Sequence, residues 1–239
     1  MINWNIDPKR REIVKHPAKR KVLVAGRRFG KSHLSLMWLL QKKIQAGERR
    51  WIVTPNYRQG KNTTWKLMRQ IFRDYDCQIN ESELLVRLPN DAEIAIKGAE
   101  QENNLRGAGL DMVVMEEYSY IKPHVWDEII YPTLTTTDGS AFFIGTPNGY
   151  DHLYDAYLKG QSDDPDWKSW QYTTVDGGYV PKEEIVKAKA MMDERAFKTE
   201  FLASFETTGN RAAYNFDRSI HVKEAKELTS NLFWGMDFN

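Results

Sequence analysis

The chain alternates short apolar runs with longer segments in which apolar residues recur at helical spacing. The runs are apolar at nearly every position, which is typical of strands buried on both faces of a sheet. We predict such strands at residues 21–25, 51–55, 112–117 and 140–147. A hairpin is predicted over residues 84–98, with the segment Pro89–Asp91 at its turn.

Helical segments separate these strands. The apolar residues of segment 31–47 follow helical spacing, which predicts a helix that closes at Gly47. Further helical segments are predicted at residues 58–75, 123–134, 150–160 and 182–206. Because strands alternate with helices, we predict an α/β fold with a mainly parallel central sheet flanked by helices.

A polar, acidic loop at Gly160–Trp167 is the best candidate for a domain boundary. We therefore predict a core over residues 1–165, followed by a small helical subdomain and a linker over residues 166–230. The last nine residues, 231–239, are treated as the start of another unit. No internal repeat or low-complexity segment is evident.

Composition narrows the function classes. The 239 residues carry a net charge of +1, so the chain has no global cationic field that would indicate DNA binding. The first 31 residues nevertheless contain ten Lys and Arg against Asp7 and Glu12, which fits either phosphate contact or a solvated basic arm. A single cysteine, Cys77, excludes an internal disulfide framework. No apolar run approaches the ~20 residues of a membrane helix, so we expect a cytosolic-type protein.

The segment "AGRRFGKS", residues 25–32, resembles a phosphate-binding loop but has Ala25 where the pattern G-x-x-x-x-G-K-[ST] begins with Gly. A predicted strand leads in and a predicted helix leads out, as this motif requires. Backbone N–H groups would then surround phosphates at the helix start, with Lys31 at the β- and γ-phosphates and Ser32 on Mg²⁺. The alternative is an ordinary strand–helix turn. The candidate nucleotide-binding residues are Ala25, Gly26, Arg27, Arg28, Phe29, Gly30, Lys31 and Ser32.

Two acids end the predicted strand "MVVMEE". Carboxyl ends of strands are where open α/β sheets bind ligands, so Glu116 is a candidate ligand of Mg²⁺ and Glu117 a candidate base for an attacking water. Asp111 is a rival acid, but it lies at the other end of the strand. A solvated pair of glutamates after a strand is the alternative.

Two further segments become meaningful beside a nucleotide site. Thr146 ends the strand in "FFIGTPNG" and would hydrogen-bond the γ-phosphate or its water, although the segment alone fits a simple turn. Arg106, in the polar stretch "ENNLRGAG", would suit an arginine finger, although without the other segments a surface arginine is the simpler interpretation.

These segments, in this order, resemble the ATPase domain of phage large terminase subunits, the motors that package viral double-stranded DNA. The run "NNLRGAGLDMVVMEEYSYIKPHVWDEIIYPTLTTTDGSAFFIGTPNG" is similar to that family's Walker B region through its coupling motif. "AGRRFGKS" resembles its variant Walker A, and "ERAFKTEFLASFE" resembles the helix of its lid subdomain. The resemblance implies an ASCE-type P-loop NTPase with a helical lid.

The resemblance also implies roles for single residues. Arg27 falls on a loop arginine that contacts nucleotide phosphates, Glu117 on the catalytic glutamate, and Thr146 on the coupling motif. Arg106 falls on an arginine that acts in trans on a neighbouring subunit's ATP. Glu116 replaces the more usual aspartate. Near the place of an adenine-reading glutamine, this chain has Arg10 or Arg11.

The implied cofactors are ATP and Mg²⁺. The implied partners are double-stranded DNA, a portal protein, a small terminase subunit and further copies in a ring, with five as the expected number and a monomer in isolation. The implied location is the host cell cytoplasm, at the procapsid portal. No membrane association is expected.

"FWGMDFN", at residues 233–239, resembles the opening strand of a ribonuclease-H-like nuclease domain, in which Asp237 would be the first metal ligand. A two-metal nuclease needs several carboxylates. We therefore expect no nuclease activity from this chain, and we expect it to be the ATPase fragment of a longer protein.

Two other functions remain open at the level of sequence. One is a helicase-like ATPase of another P-loop family. The other is a nucleotide-dependent assembly module that binds ATP and a partner but turns over little as an isolated monomer.

Overall fold

A single sheet forms the centre of the structure, a computed structural model that describes residues 7–107 and 109–206. Within those residues the sheet has eight strands in the order β3-β4-β5-β2-β6-β7-β1-β8. The strands are β1 (Arg20–Ala25), β2 (Arg49–Thr54), β3 (Gln78–Asn80), β4 (Leu85–Arg87), β5 (Glu93–Gly98), β6 (Met112–Glu116), β7 (Ser140–Gly145) and β8 (Trp167–Tyr172). All pairings are parallel except β3–β4 and β4–β5. The predicted parallel sheet and hairpin are confirmed.

The strand order brings three predicted loops together. β7 lies between β6 and β1, and all three run in the same direction. Their carboxyl ends therefore meet at one edge of the sheet. This places the phosphate loop after β1 beside the acids after β6 and the threonine after β7.

Helices cover both faces of the sheet. They are α1 (Pro8–Lys15), α2 (Lys31–Leu40), α3 (Tyr57–Asn62), α4 (Thr64–Phe72), α5 (Tyr131–Thr135), α6 (His152–Lys159), α7 (Thr174–Gly177), α8 (Lys182–Met191) and α9 (Glu194–Leu202). A π-helical stretch, Val125–Ile130, precedes α5, and short 3₁₀ turns occupy Glu102–Leu105 and Tyr118–Tyr120.

Several helices are shorter than the sequence predicts. α2 ends at Leu40 rather than near Gly47. The helix predicted over residues 58–75 is interrupted at Thr63, whose φ of −112° and ψ of −86° are not helical. The segment 182–206 likewise forms two helices, because Asp193 accepts hydrogen bonds from the first backbone N–H groups of α9 and starts a new helix there.

Alternate residues of each central strand enter different cores. Leu23 of β1 packs with Leu34 of α2 and Trp65 of α4 on one face. Val24 packs with Leu105 and Ile129 on the other face. This alternation is the expected result of strand geometry, and it assigns the phosphate-loop helix α2 and the segment around Leu105 to opposite faces of the sheet.

The sheet continues past the predicted core boundary at residue 165. β8 follows that boundary and pairs in parallel with β1 over its whole length. The described residues up to Glu206 belong to one compact unit. The acidic loop at residues 160–167 is therefore a surface connection from α6 into the sheet. Helices α7–α9 follow β8 and lie where the lid subdomain is predicted, so they are called the lid below; the predicted linker and Asp237 lie outside the described residues.

Candidate functional site: a phosphate loop closed onto two strands

The phosphate loop joins the end of β1 to the start of α2. Its left-handed backbone falls on Arg28 (φ 62°) and Gly30 (φ 95°) rather than on Ala25, so an alanine side chain at the first position is tolerated. Gly26 is needed for a different reason. A Cβ there would lie 2.7 Å from the carbonyl oxygen of Phe201 and from Oγ1 of Thr174, both in the lid.

The side chain of Lys31 bridges the loop to the neighbouring strand. Its Nζ donates to the carbonyl oxygen of Ala25 at 2.9 Å and to Oγ1 of Thr146 at 2.8 Å. Loss of hydration lowers the pKa of Lys31, and the nearby charge of Glu117 opposes that change. The structure thus brings together Lys31 and Thr146, two residues that the sequence placed in one site.

Glu116 is the centre of a second set of contacts. It ends β6 and is only 5% exposed. One carboxylate oxygen accepts a hydrogen bond from Oγ of Ser32, and the other accepts one from Oγ1 of Thr64 at 2.6 Å. Burial raises the pKa of Glu116, while the hydrogen bonds from Ser32 and Thr64 lower it.

Thr64 is a site residue that the sequence pattern does not identify. It is fully buried and begins α4. Its sequence context, "KNTTWKL", lies inside a segment that the pattern predicts as one helix. Only the break at Thr63 and the sheet order bring it to Glu116, so no local signal could have identified it.

The hydroxyl of Ser32 and the carboxylate of Glu116 fit a magnesium ion that is also bound by nucleotide phosphates. Mg²⁺ in such sites uses one or two protein oxygens together with waters and phosphate oxygens. Across residues 7–107 and 109–206 there is no cluster of three or more His, Cys, Asp or Glu that would hold a metal without a nucleotide. A resident all-protein metal site in that part of the chain is therefore not indicated.

Glu117 differs from Glu116 in its burial, its backbone conformation and its contacts. It is half-buried and has a left-handed backbone, with φ 53° and ψ 51°. Such a conformation is uncommon outside glycine and is found at functional sites. Within the described part of the chain its carboxylate makes no hydrogen bond or ion pair, so its oxygens remain available to a water molecule.

Arg27 points to the lid. Its guanidinium forms an ion pair with Glu200 of α9, including a 3.2 Å contact from Nη2 to Oε1. Its backbone N–H donates to the carbonyl oxygen of Glu200 at 2.7 Å, and Oγ1 of Thr174 donates to the carbonyl oxygen of Arg27 at 2.8 Å. The role of Arg27 at the nucleotide phosphates stays a prediction.

The other loop residues have separate environments. Arg28 is exposed. Phe29 is buried and stacks on Tyr172 of β8, with ring centroids 5.3 Å apart. Arg10 of α1 donates to the carbonyl oxygens of Phe29 at 2.6 Å and of Gly177 at 3.0 Å. The arginine near the expected adenine-reading position therefore holds the phosphate loop against the lid.

Arg106 is remote from these contacts. It is exposed and follows the 3₁₀ turn Glu102–Leu105. Leu105 and Leu110, both fully buried, anchor the loop on either side. Arg106 lines a cavity of about 350 Å³ with residues of the π-helix and α5, including Glu128 and Thr133. These helices cover the face of the sheet opposite α2, and no hydrogen bond or ion pair among the described residues joins Arg106 to the phosphate loop.

Comparison with known proteins decides the family. The family described as terminase large subunit, T4-like-virus type, N-terminal part, matches residues 22–220. The chain belongs to this family. The predicted family is thereby confirmed, and this favours a terminase ATPase domain over a helicase-like ATPase of another P-loop family.

Curated terminase large subunits from phages are similar over most of this chain. The protein of Thermus phage G20c is 26% identical and is matched over 87% of this chain and 50% of its own length. The protein of Escherichia phage T5 is 25% identical, over 85% of this chain and 48% of its own. The chain thus spans about half the length of the curated relatives it matches.

Solved terminase structures share the fold. The large terminase ATPase domain of Thermus phage P74-26 superimposes with a TM-score of 0.72 at 24% identity, covering 85% of this chain and 95% of that domain. The large terminase of another thermophilic bacteriophage, in complex with ADP, gives a TM-score of 0.70 at 11% identity, covering 90% of this chain and 57% of that protein. The predicted α/β terminase ATPase fold is confirmed. Among the described residues, no helix is long and apolar enough to span a membrane.

Proposed function

We propose that this chain is a Mg²⁺-dependent ATP hydrolase that drives translocation of viral double-stranded DNA into a procapsid. The observation that carries the proposal is the closure of the phosphate loop onto two strands. Lys31 contacts Thr146 at the end of β7, and Ser32 contacts Glu116 at the end of β6. A plain strand–helix turn would not need a lysine, a hydroxyl and a buried carboxylate joined in this way.

ATP would bind with its phosphates against the start of α2. The N-terminal N–H groups of a helix favour anions, and Lys31 would leave its carbonyl partner to contact the β- and γ-phosphates. Related structures support a nucleotide as ligand. The thermophilic bacteriophage large terminase whose ADP complex superimposes on this chain with a TM-score of 0.70 has also been solved with ATP-γ-S. Magnesium, held by Ser32 and Glu116, would neutralise charge on the phosphates during hydrolysis.

Glu117 would orient and deprotonate the attacking water. The water's proton goes to the Glu117 carboxylate as its oxygen bonds to the γ-phosphorus, and the bond from that phosphorus to the β–γ bridging oxygen breaks. ADP and phosphate are the products. The free carboxylate and left-handed backbone of Glu117 support this role. Lys31 and Arg27 would stabilise the charge that develops on the phosphate oxygens.

Arg106 would complete the site of a neighbouring copy. It lies beside the helices on the face opposite α2, and it is exposed. A head-to-tail ring, for which we propose five subunits, would bring it to the next subunit's γ-phosphate. This placement also supports a second candidate function, in which an isolated chain binds ATP and assembles but turns over little.

Thr146 and the lid would convert hydrolysis into movement. Thr146 contacts Lys31, and the lid contacts Arg27 through Glu200. Phosphates that draw Lys31 and Arg27 towards themselves would compete with both contacts. We propose that this competition moves α9 relative to the sheet.

The remaining partners follow from the packaging role. We propose that the ring works with a portal protein and a small terminase subunit, at the procapsid portal in the host cell cytoplasm. DNA would be held through its phosphates, because a motor has to ignore base sequence.

Steady-state ATP hydrolysis tests the proposal. Lys31→Ala should lower kcat/KM by about 10³-fold, since a positive charge on the β- and γ-phosphates is lost. Lys43→Ala, which removes an exposed lysine after the same helix, should leave turnover unchanged. Hydrolysis that persists in Lys31→Ala protein would contradict the site assignment.

A further inference from the structure

Helices α3 and α4 carry an unusual concentration of positive charge. Residues 57–73 contain five basic residues and no acidic residue, whereas the whole chain has 34 basic against 33 acidic residues. All five side chains are exposed: Arg58, Lys61, Lys66, Arg69 and Arg73. The charge run ends at Asp74 and Asp76, just after α4.

Two basic residues of α4 and Arg73, which directly follows it with helical backbone angles, form a single stripe. Trp65, Met68 and Phe72 are buried in the core shared with α2. Lys66, Arg69 and Arg73 follow each of these by one position, at the same helical spacing, and are exposed. Seven residues of helix advance about 10 Å, so the α4 stripe, meaning Lys66, Arg69 and Arg73, presents charge along about 10 Å of surface.

Most of this charge has no partner in the protein. Within the described residues, Arg58, Lys66 and Arg73 make no hydrogen bond or ion pair. Arg69 is the exception, with an ion pair of 2.9 Å to Glu81. Lys61 lies 5.9 Å from the ring centre of Tyr57. Long cationic side chains left in water at this density are unfavourable for the isolated fold, because like charges four residues apart on a helix repel.

The basic N-terminal segment is different. Its side chains are largely used inside the molecule. Lys9 pairs with Asp176, Arg10 with Asp7, Lys19 with Asp138 and Arg27 with Glu200, and Lys21 donates to the carbonyl oxygens of Ile13 and Val14. Most basic side chains of the N-terminal segment thus already have partners within the protein. The α4 stripe is therefore more available for contact with phosphates.

The α4 stripe is also joined to the nucleotide site. α4 begins at Thr64, whose hydroxyl donates to Glu116 at 2.6 Å. Lys66 lies two residues further along the same helix. A ligand that pulls on the stripe therefore acts on the helix that orients the carboxylate.

We propose that the α4 stripe, together with the exposed Arg58 of the preceding helix α3, is the surface that contacts the phosphates of double-stranded DNA. The proposal rests on the proposed function, because a packaging motor has to hold DNA without reading its sequence. Exposed Lys and Arg side chains without base-reading partners suit that task, since phosphate contacts carry no sequence information. Through Thr64, DNA held on this stripe affects Glu116.

Salt-dependent DNA binding tests the surface. The dissociation constant of the whole chain for a labelled duplex of mixed sequence is measured by fluorescence anisotropy over a range of KCl concentrations. Lys66→Ala/Arg73→Ala protein should weaken binding at least tenfold and lower the slope of log K against log salt by about two, or one for each lost phosphate contact. Two basic residues outside the stripe provide the matched control, Lys43→Ala/Lys189→Ala, which should behave like the unchanged protein.

Three results would contradict the proposed DNA surface. The unchanged chain does not bind the duplex at low salt, the double variant has unchanged affinity and slope, or the control variant loses as much DNA affinity as the double variant. Thermal unfolding shows whether each variant is folded. The single variants Lys66→Gln and Arg73→Gln, each expected to lower the slope by about one, replace the double variant if it unfolds. ATP hydrolysis by the unchanged chain without DNA reports on the proposed function separately.

Discussion

The two halves of the proposed active site are built differently. Lys31, Ser32, Glu116 and Thr146 are joined by hydrogen bonds at the carboxyl edge of the sheet. Arg106 is exposed, and in the described part of the chain its side chain makes no hydrogen bond or ion pair. The first half is positioned by the fold of one chain, whereas the second half lies beside helices on the opposite face.

This difference suggests a division of labour. Lys31, Ser32 and Glu116 are brought together by the fold before any ligand binds, so phosphates meet side chains that already lie at the carboxyl edge of the sheet. Arg106 lies between the buried Leu105 and Leu110, and none of the contacts within residues 7–107 and 109–206 commits its guanidinium to a partner. We therefore propose that one copy can bind nucleotide, whereas fast hydrolysis needs two copies.

Glu117→Gln should give the largest effect. The amide keeps the shape of the side chain but cannot accept the proton of the attacking water, so kcat should fall by about 10⁴-fold. Nucleotide affinity, measured by equilibrium binding of a fluorescent ATP analogue, should stay within a few fold because Lys31 and Ser32 are untouched.

Asp111→Asn is the matched control for this change. Asp111 lies at the other end of the same strand, and its carboxylate accepts from the backbone N–H of Arg49 at 2.8 Å. The asparagine can accept the same bond, so turnover should be unchanged. A loss confined to Asp111→Asn would place the base at the wrong end of β6 and refute the assignment.

Arg106→Ala should lower kcat by about 10³-fold, but only at protein concentrations where the unchanged chain has assembled. In dilute solution the unchanged chain and the variant should hydrolyse ATP equally slowly. The measurement is specific activity against protein concentration. Turnover independent of concentration and insensitive to Arg106→Ala would exclude a shared site.

Thr64→Val should lower kcat about tenfold while leaving ATP affinity nearly unchanged. The substitution leaves one buried oxygen of Glu116 without its donor. Because that hydrogen bond lowers the pKa of Glu116 against the effect of burial, its loss raises the pKa further. The carboxylate has to be ionised to hold Mg²⁺, so activity should be lost at a higher pH on the acid side of the pH–rate profile.

Thr63→Val is the control for Thr64. Thr63 is adjacent and exposed, and its hydroxyl donates to the carbonyl oxygen of Gln59 at 2.8 Å; it lies 3.5 Å from the hydroxyl of Thr64, which itself donates to Glu116. Thr63→Val protein should lose activity at the same acidic pH as the unchanged chain in the pH–rate profile. An equal shift in both variants would mean that α4 as a whole was disturbed rather than Glu116.

Glu200→Gln should have the smallest effect. It removes the charge that holds Arg27 to the lid, and since the Arg27 side chain is 66% exposed, the free energy of unfolding should fall by no more than about 1 kcal/mol. Chemical denaturation measures that change. A much larger loss would mean that the lid contact stabilises the fold instead of serving as an exchangeable partner for Arg27.

Local sequence signals are enough for the central strands, the hairpin and the motif residues. Apolar runs predict β1, β2, β6 and β7 because a strand buried on both faces needs apolar residues throughout. Because these strands are parallel, the residues just past their carboxyl ends lie at the same edge of the sheet. Lys31, Glu116 and Thr146 could therefore be assigned to one site from the sequence.

What the sequence pattern missed depends on contacts between distant residues. Thr64 meets Glu116 across 52 positions, and Arg27 meets Glu200 across 173. β8 is missed because its mixed residues, "WKSWQY", lack both an apolar run and a clean alternation. Arg10 becomes a support of the phosphate loop only after α1 has packed beside it.

The most direct test of the central claim, that two copies share one hydrolytic site, is a mixing experiment. Glu117→Gln protein keeps Arg106 but lacks the base, and Arg106→Ala protein keeps the base but lacks the arginine. ATP hydrolysis is measured for each protein alone and for an equal mixture at high concentration. A shared site predicts that the mixture regains activity, because about a quarter of the interfaces in a randomly mixed ring pair an intact Glu117 with an intact Arg106. Activity in the mixture no higher than the mean of the two separate proteins would contradict the claim.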